Sequence, residues 1–208
     1  MGASSKSRRA AFPCVRICPR SNGYPGSLVS QGIQAPLSAI GEAGLLKLPI
    51  LALFCSIKCP GSIILKTYEA MQHMKLQERV IAGGFHSPME RTCLDILLRG
   101  RAKLILCPAR RLGRLRIRPE WRTPISEERL LIVSPFDDTV RRSTVQLAQA
   151  RNNFVSALAN TALVPFAGRR SRTEQFVVEF LSAGKTVYTF PDPESQLLID
   201  LGAKPFPL

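Results

Sequence analysis

"RVIAGGFHSPMERTCLDILLRGRAKLILCPA", residues 79–109, decides the fold. Residues 79–84 are a short apolar run closed by Gly83-Gly84. Residues 88–100 carry apolar side chains at helical spacing and stop at Gly100, and residues 102–109 are a second apolar run. Unbroken apolar runs of this length suit strands whose two faces are both covered. A helix joining two of them is the crossover that links neighbouring parallel strands. The stretch predicts one strand–helix–strand unit of a parallel sheet.

The same texture extends in both directions. Upstream, "LPILALFCS" (48–56) predicts a strand that feeds a small-residue loop and then a helix over 63–77. Downstream, "ERLLIVSPF" (128–136) and "TALVPFAG" (161–168) predict strands on either side of a helix over 139–160. A further helix starts near Thr173, and "KTVYTF" (185–190) reads as the last strand. This alternation predicts one three-layer α/β domain over residues 46–208, with a mostly parallel sheet. Residues 1–45 are basic and rich in Ser, Gly and Pro, without sustained periodicity. They are expected to form a flexible, disordered or loosely packed N-terminal segment, with at most a helical turn near "PLSAIGEAGLL" (36–46).

The chain has 208 residues, 45% of them hydrophobic, enough for a sizeable core, and a formal net charge of +14. Such an excess of cations speaks to a polyanionic partner rather than to the fold. No run approaches the ~20 apolar residues of a membrane span, and Arg8-Arg9 is followed by no apolar leader. A cytoplasmic protein without membrane contact is expected. The six cysteines form two C-x3-C pairs, Cys14/Cys18 and Cys55/Cys59, with Cys93 and Cys107 apart. Zinc ribbons favour C-x2-C, so reduced structural thiols and no metal are the expectation.

Open parallel sheets bind ligands beyond the carboxyl ends of their strands, which directs the search to four segments. Ser56, Lys58, Gly61 and Ser62 place small residues and a cation before a helix, a combination suited to phosphate. Gly83, Gly84 and His86 form a second loop, in which paired glycines let a backbone approach a ligand or simply turn. Arg151 and Asn152 fall inside a predicted helix, where polar residues usually face solvent.

The fourth segment, "AGRRSRTEQ" (167–175), sets Gly168, Arg169, Arg170, Ser171 and Thr173 at a helix start. Free N–H groups and the helix dipole attract anions there. Ser171 or Thr173 is expected to cap this helix, with Arg169 and Arg170 at the mouth of a pocket. A separate basic run over 99–122 contains Arg110, Arg111, Arg114, Arg116 and Arg118 as candidate phosphate contacts. Trp121 beside them serves either as a stacking platform for an unpaired base or as a packing anchor.

Catalytic residues are not apparent. No nucleophile–base pair emerges, His86 is alone in its loop, and Asp137-Asp138 read better as a cap for the following helix than as a metal pair.

Taken together, "LALFCSIKCPGS", "RVIAGGFHSPMERTCLDILLRG", "KLILCPA", "LLIVSPF", "QARNNFVSALANTALVPFAG" and "RTEQFVVEFLSAGKTVYTF" resemble the Rossmann-like domain of the DNA-processing protein A (DprA/Smf) family. The resemblance covers roughly residues 45–206. Arg151-Asn152 matches the family's Arg-Asn pair, Gly168…Ser171…Thr173 its Ser-Gly-Ser…Thr segment, and Gly83-Gly84 its glycine-rich loop loosely. Cys55-Ser56-Ile57-Lys58 stands where the family has Gly-Ser-Arg, and Pro191-Asp192-Pro193 where it has Pro-Gly.

The resemblance implies a Rossmann-like fold and a non-enzymatic protein that binds single-stranded DNA without a cofactor. It also implies a role in DNA uptake and recombination, with a homodimer and a recombinase as partners. The wider superfamily includes LOG-type nucleotide-cleaving proteins. The alternative it implies is a nucleotide sensor or nucleotide-cleaving enzyme that uses the same pocket.

Overall fold

The computed structural model describes residues 12–113, 115–137, 139–140 and 143–207. Strands β1 (Val15–Ile17), β2 (Leu37–Gly41), β3 (Ile50–Leu53), β4 (Val80–Gly83), β5 (Lys103–Leu106), β6 (Leu130–Ser134), β7 (Thr161–Leu163), β8 (Thr186–Thr189) and β9 (Lys204–Pro205) form one sheet. Their order is β1-β2-β6-β5-β4-β3-β7-β8-β9. All neighbours from β6 to β9 pair parallel, while β2 is antiparallel to both β6 and β1.

Helices α1 (Gly26–Ser30), α2 (Gly61–Met74), α3 (Pro88–Leu98), α4 (Pro119–Ser126), α5 (Val145–Leu158), α6 (Arg172–Ser182) and α7 (Gln196–Asp200) complete the described elements, with two short 3₁₀ turns.

The burial pattern explains why the strands read as continuous apolar runs. Leu51, Leu53, Ile81, Leu104, Leu106 and Ile132 share a core with Ile63 and Met71 of α2, Leu97 of α3 and Trp121 of α4. Their neighbours Ala52, Val80, Ala82, Ile105 and Leu131 join the opposite core, with Phe154 of α5 and Phe176 and Phe180 of α6. Side chains alternate between faces along a strand, and both faces are covered, so every position is apolar. The chain runs outward from β3 through β4 and β5 to β6, then α5 returns it to β7 on the other side of β3. Strand order reverses at β3, which makes the β3–β7 boundary the switch point of the sheet.

The N-terminal segment departs from its compositional reading. Residues 1–11 lie outside the described residues, but residues 12–44 are not loose: β1 and β2 extend the sheet across the expected boundary at residue 45. Tyr24, Leu28, Leu37 and Ala39 are buried in the core that holds Val133 and Phe154. The Tyr24 hydroxyl donates to the carbonyls of Ile33 at 3.1 Å and Ala35 at 2.9 Å. The partners of these apolar residues are remote: Ala39 lies opposite Val133 and Ile40 opposite Ile132. No local periodicity announces such pairing. Where a helical turn was expected, Leu37–Gly41 is a strand and only Ala43–Lys47 turns, as a 3₁₀ helix.

Three further expectations need correction. The strand at 186–189 is not the last, because β9 pairs with it in parallel. Residues 109–127 are not merely a basic connection: Pro119 starts α4, whose Trp121 and Ile125 are buried. Asp137 does not cap α5; Thr144 does, its hydroxyl accepting from Leu147 N at 3.2 Å. Asp137 instead accepts from Thr139 N at 2.8 Å in an earlier turn, and Asp138 lies outside the described residues. Among the described residues no helix is long and apolar enough to cross a membrane.

Candidate nucleic-acid interface

Two places at the carboxyl edge of the sheet hold the candidate residues, and they differ in how their donors are used. At the switch point the loops after β3 and β7 are stitched together. Ser56 N donates to Phe166 O at 3.1 Å, and Ser56 Oγ accepts from Gly168 N at 3.2 Å while lying 3.4 Å from Ser171 Oγ.

Ser171, not Thr173, is the cap of α6; its hydroxyl accepts from Glu174 N at 3.1 Å. The Glu174 carboxylate reaches back to accept from Arg170 N, which stands at φ +57°. These N–H groups are therefore satisfied by the chain's own oxygens, and Arg169 and Arg170 project as exposed side chains. Lys58, Gly61 and Ser62 are also exposed, at the start of α2. There Lys66 Nζ meets Asp192 Oδ2 at 2.9 Å and holds the Asp192 carboxyl below its usual range.

The second place is a cleft of about 650 Å³ beyond β4 and β5, roofed by α4 and bordered by α5. It gathers Gly84, His86 and Arg151 from the phosphate-site expectation with Arg110, Arg118 and Trp121 from the basic run. Arg151 forms its core. Although on a helix, it is only 5% exposed, its Nη1 donating to Cys107 O at 3.3 Å and its Nε to Asn152 Oδ1 at 2.8 Å. Burial lowers the guanidinium pKa while the nearby Glu90 raises it; an arginine stays charged in either case.

Gly84 is required by this packing. A Cβ there would stand 1.4 Å from Arg151 Nη1, so the second glycine makes room for a guanidinium of the chain itself.

Glu90, which sequence reading left unassigned, positions the loops around the cleft. It is 7% exposed and accepts from Cys55 N at 3.0 Å, His86 N at 2.7 Å and Ser87 N at 3.3 Å. The carboxylate thus ties the loop after β3 to the loop after β4 and fixes Phe85, a non-glycine residue at φ +46°. Its signal was present as Ser87-Pro88-Met89-Glu90, the spacing of a capping box. Arg91 and Asp95, also missed, face the cleft from the exposed side of α3.

The basic run is divided by the fold. Arg99 and Arg101 precede β5 and lie at the amino edge of the sheet, while Arg110 and the residues after it lie at the carboxyl edge. Trp121 is 7% exposed and lines the cleft, with the Arg118 guanidinium 5.1 Å from its ring centroid. That geometry favours the anchor role over an open stacking platform. Arg116 is exposed, Arg111 is half-buried with its N–H donating to Val140 O at 3.1 Å, and Arg114 lies outside the described residues. Among the described residues no group of three His, Cys, Asp or Glu side chains could hold a metal.

Compared with protein-family models and with curated proteins, the sequence matches none. Solved structures do match. DNA processing protein A from Streptococcus pneumoniae is 20% identical with a TM-score of 0.76, over 94% of this chain and 71% of that one. DNA processing protein A from Helicobacter pylori, described with a single-stranded DNA binding mode, is 17% identical with a TM-score of 0.74, over 93% of this chain and 91% of that one. The chain therefore has the α/β, Rossmann-like fold of DNA processing protein A, the fold its sequence motifs resemble.

Proposed function

We propose that this protein is a DprA-like DNA-processing protein that binds single-stranded DNA across the cleft beyond β4 and β5. The observation that carries the reading is the buried Arg151 guanidinium, set in a cleft with Arg91, Arg110 and Arg118 at its walls. Phosphate oxygens are recognised by such charge-assisted donors. The apolar surface of Leu94, Leu106 and Leu115 alongside them suits a base that is not paired. The fold is shared with a DNA processing protein A described with a single-stranded DNA binding mode, but the reading rests on the cleft, since function belongs to the site rather than the fold.

The test is fluorescence anisotropy with a labelled single-stranded oligonucleotide and the matching duplex, across a range of salt. We expect preference for the single strand and a slope of log K against log salt of about −2 to −3, as about three to four phosphates are neutralised. Salt-independent binding, or none at low ionic strength, would remove the proposal. It extends to DNA uptake and recombination with a recombinase as protein partner, checked by whether this protein accelerates loading of a recombinase onto coated single strands.

A second reading rests on the cleft volume, which lies in the ~300–1,000 Å³ range of small-ligand sites. A mononucleotide in the cleft would raise the melting temperature without any oligonucleotide present.

A further inference from the structure

A second cavity, of about 240 Å³, lies between α2 and α3. Tyr68, Gln72 and Lys75 line it from α2 and its C-cap, Asp95 and Arg99 from α3 and its C-cap. Asp95 also lines the cleft beyond β4 and β5, so the two cavities meet at this residue. α3 starts at Pro88, after β4 at the carboxyl edge of the sheet, and ends at Leu98, shortly before β5 begins at the amino edge. The furrow between the helices therefore leads from the cleft towards the opposite edge. Arg99, which the fold separates from Arg110 and the residues after it, stands at its far end.

We infer that a single strand bound in the cleft continues along this furrow, with Tyr68 stacking on a base and Lys75 and Arg99 holding the phosphates that follow. This rests on the reading of the cleft given above and adds a second stretch of binding surface to it.

One face of α3 carries the path. Arg91, Asp95 and Arg99 follow at i, i+4 and i+8, so they form one row on the helix. Arg91 lines the cleft, Asp95 both cavities, and Arg99 the furrow. The row is ~12 Å long at ~1.5 Å per residue, the span of about three nucleotides at ~3.4 Å each.

The side chains along it are uncommitted. Although the i,i+4 spacing allows it, neither arginine forms an ion pair with Asp95, and Lys75 forms none among the described residues. Their charge is open to phosphate oxygens. Tyr68 is 46% exposed, and a ring in solvent offers a stacking face that accepts any base. The Gln72 amide, beside it in the furrow, can both donate and accept. Asp95 is the one carboxylate among these lining residues. It repels a phosphate, so the strand passes it with a base edge, whose amino hydrogens a carboxylate accepts.

The test is fluorescence anisotropy with two labelled single strands, one of about 5 nucleotides to fill the cleft and one of about 10 to enter the furrow as well. For the parent, the slope of log K against log salt should be more negative by about 1.4 with the longer strand, from two further phosphates at about 0.7 each. Lys75→Ala with Arg99→Ala should remove that difference. Tyr68→Ala should weaken binding of the longer strand by at least about fivefold. Both variants should bind the shorter strand within about twofold of the parent, because salt screens charges beyond about 8 Å. Arg101→Ala removes an exposed cation of the same edge that does not line the furrow, and should match the parent with both strands.

None of these side chains is buried, so the melting temperatures should stay near the parent's. Parent-like binding of the longer strand by both furrow variants, or an equal loss in Arg101→Ala, would overturn the inference and leave the cleft reading standing. A parent that binds neither strand would instead remove the cleft reading, and the inference with it.

Discussion

Two arginine-bearing loops at the same edge of the sheet have opposite fates. The turn from β7 into α6 has glycine, hydroxyls and two consecutive arginines, the composition of an anion site. The N–H groups of Gly168, Arg170 and Glu174 are taken by Ser56, Glu174 and Ser171 in turn, and its arginines point outward. The loop after β4 looks poorer, yet it receives a buried guanidinium from a helix some 67 residues further along, Gly84 to Arg151, and opens into a cleft. A helix start attracts anions only while its donors are unsatisfied, and here the chain supplies the anion itself.

The sharpest way to break this contrast is Arg151→Ala. Hydrogen bonds to charged groups are worth about 1.5–3 kcal/mol, so anisotropy should show single-strand affinity falling about 10- to 100-fold. The melting temperature should fall as well, since a buried side chain is removed. Wild-type affinity in a folded Arg151→Ala protein would move the interface away from the cleft.

Gly84→Ala separates position from presence. The three atoms nearest the added Cβ all belong to the Arg151 guanidinium, so that buried group has to leave its place. Affinity is expected to drop about tenfold, about 1.4 kcal/mol, and the melting temperature to fall as the displaced guanidinium gives up its bond to Cys107 O.

On the other side of the comparison, Ser171→Ala should act on stability alone. Loss of an N-cap costs about 1 kcal/mol, or about 2–4 °C in a protein of this size, read by thermal denaturation with unchanged binding. The smallest effect belongs to Arg169→Ala with Arg170→Ala. Exposed and outside the cleft lining, they act only through a field screened within about 8 Å at physiological salt, and affinity should change less than about threefold. A tenfold loss in this double variant would make the α6 turn the interface and reverse the comparison.

Local pattern was enough to determine the alternation from β3 to β8 apart from α4, because each of these strands and helices buries its own face and writes that face into consecutive residues. Ser87-x-x-Glu90 and the Ser171 cap are local in the same sense, as hydrogen bonds spanning three residues. Only the tertiary structure decided the rest. β2 is a strand because Leu131 to Ser134 lie opposite it, and Tyr24 and Leu28 are core because Val133 and Phe154 are there to cover them.

The basic run 99–122 reads as one patch, but β5 carries its two ends to opposite edges of the sheet. Arg151 reads as a solvated helix residue until Gly84 is brought beneath its guanidinium. These outcomes depend on contacts between segments tens of residues apart, whose free energy appears only once the chain is folded and leaves no period or motif in any one stretch.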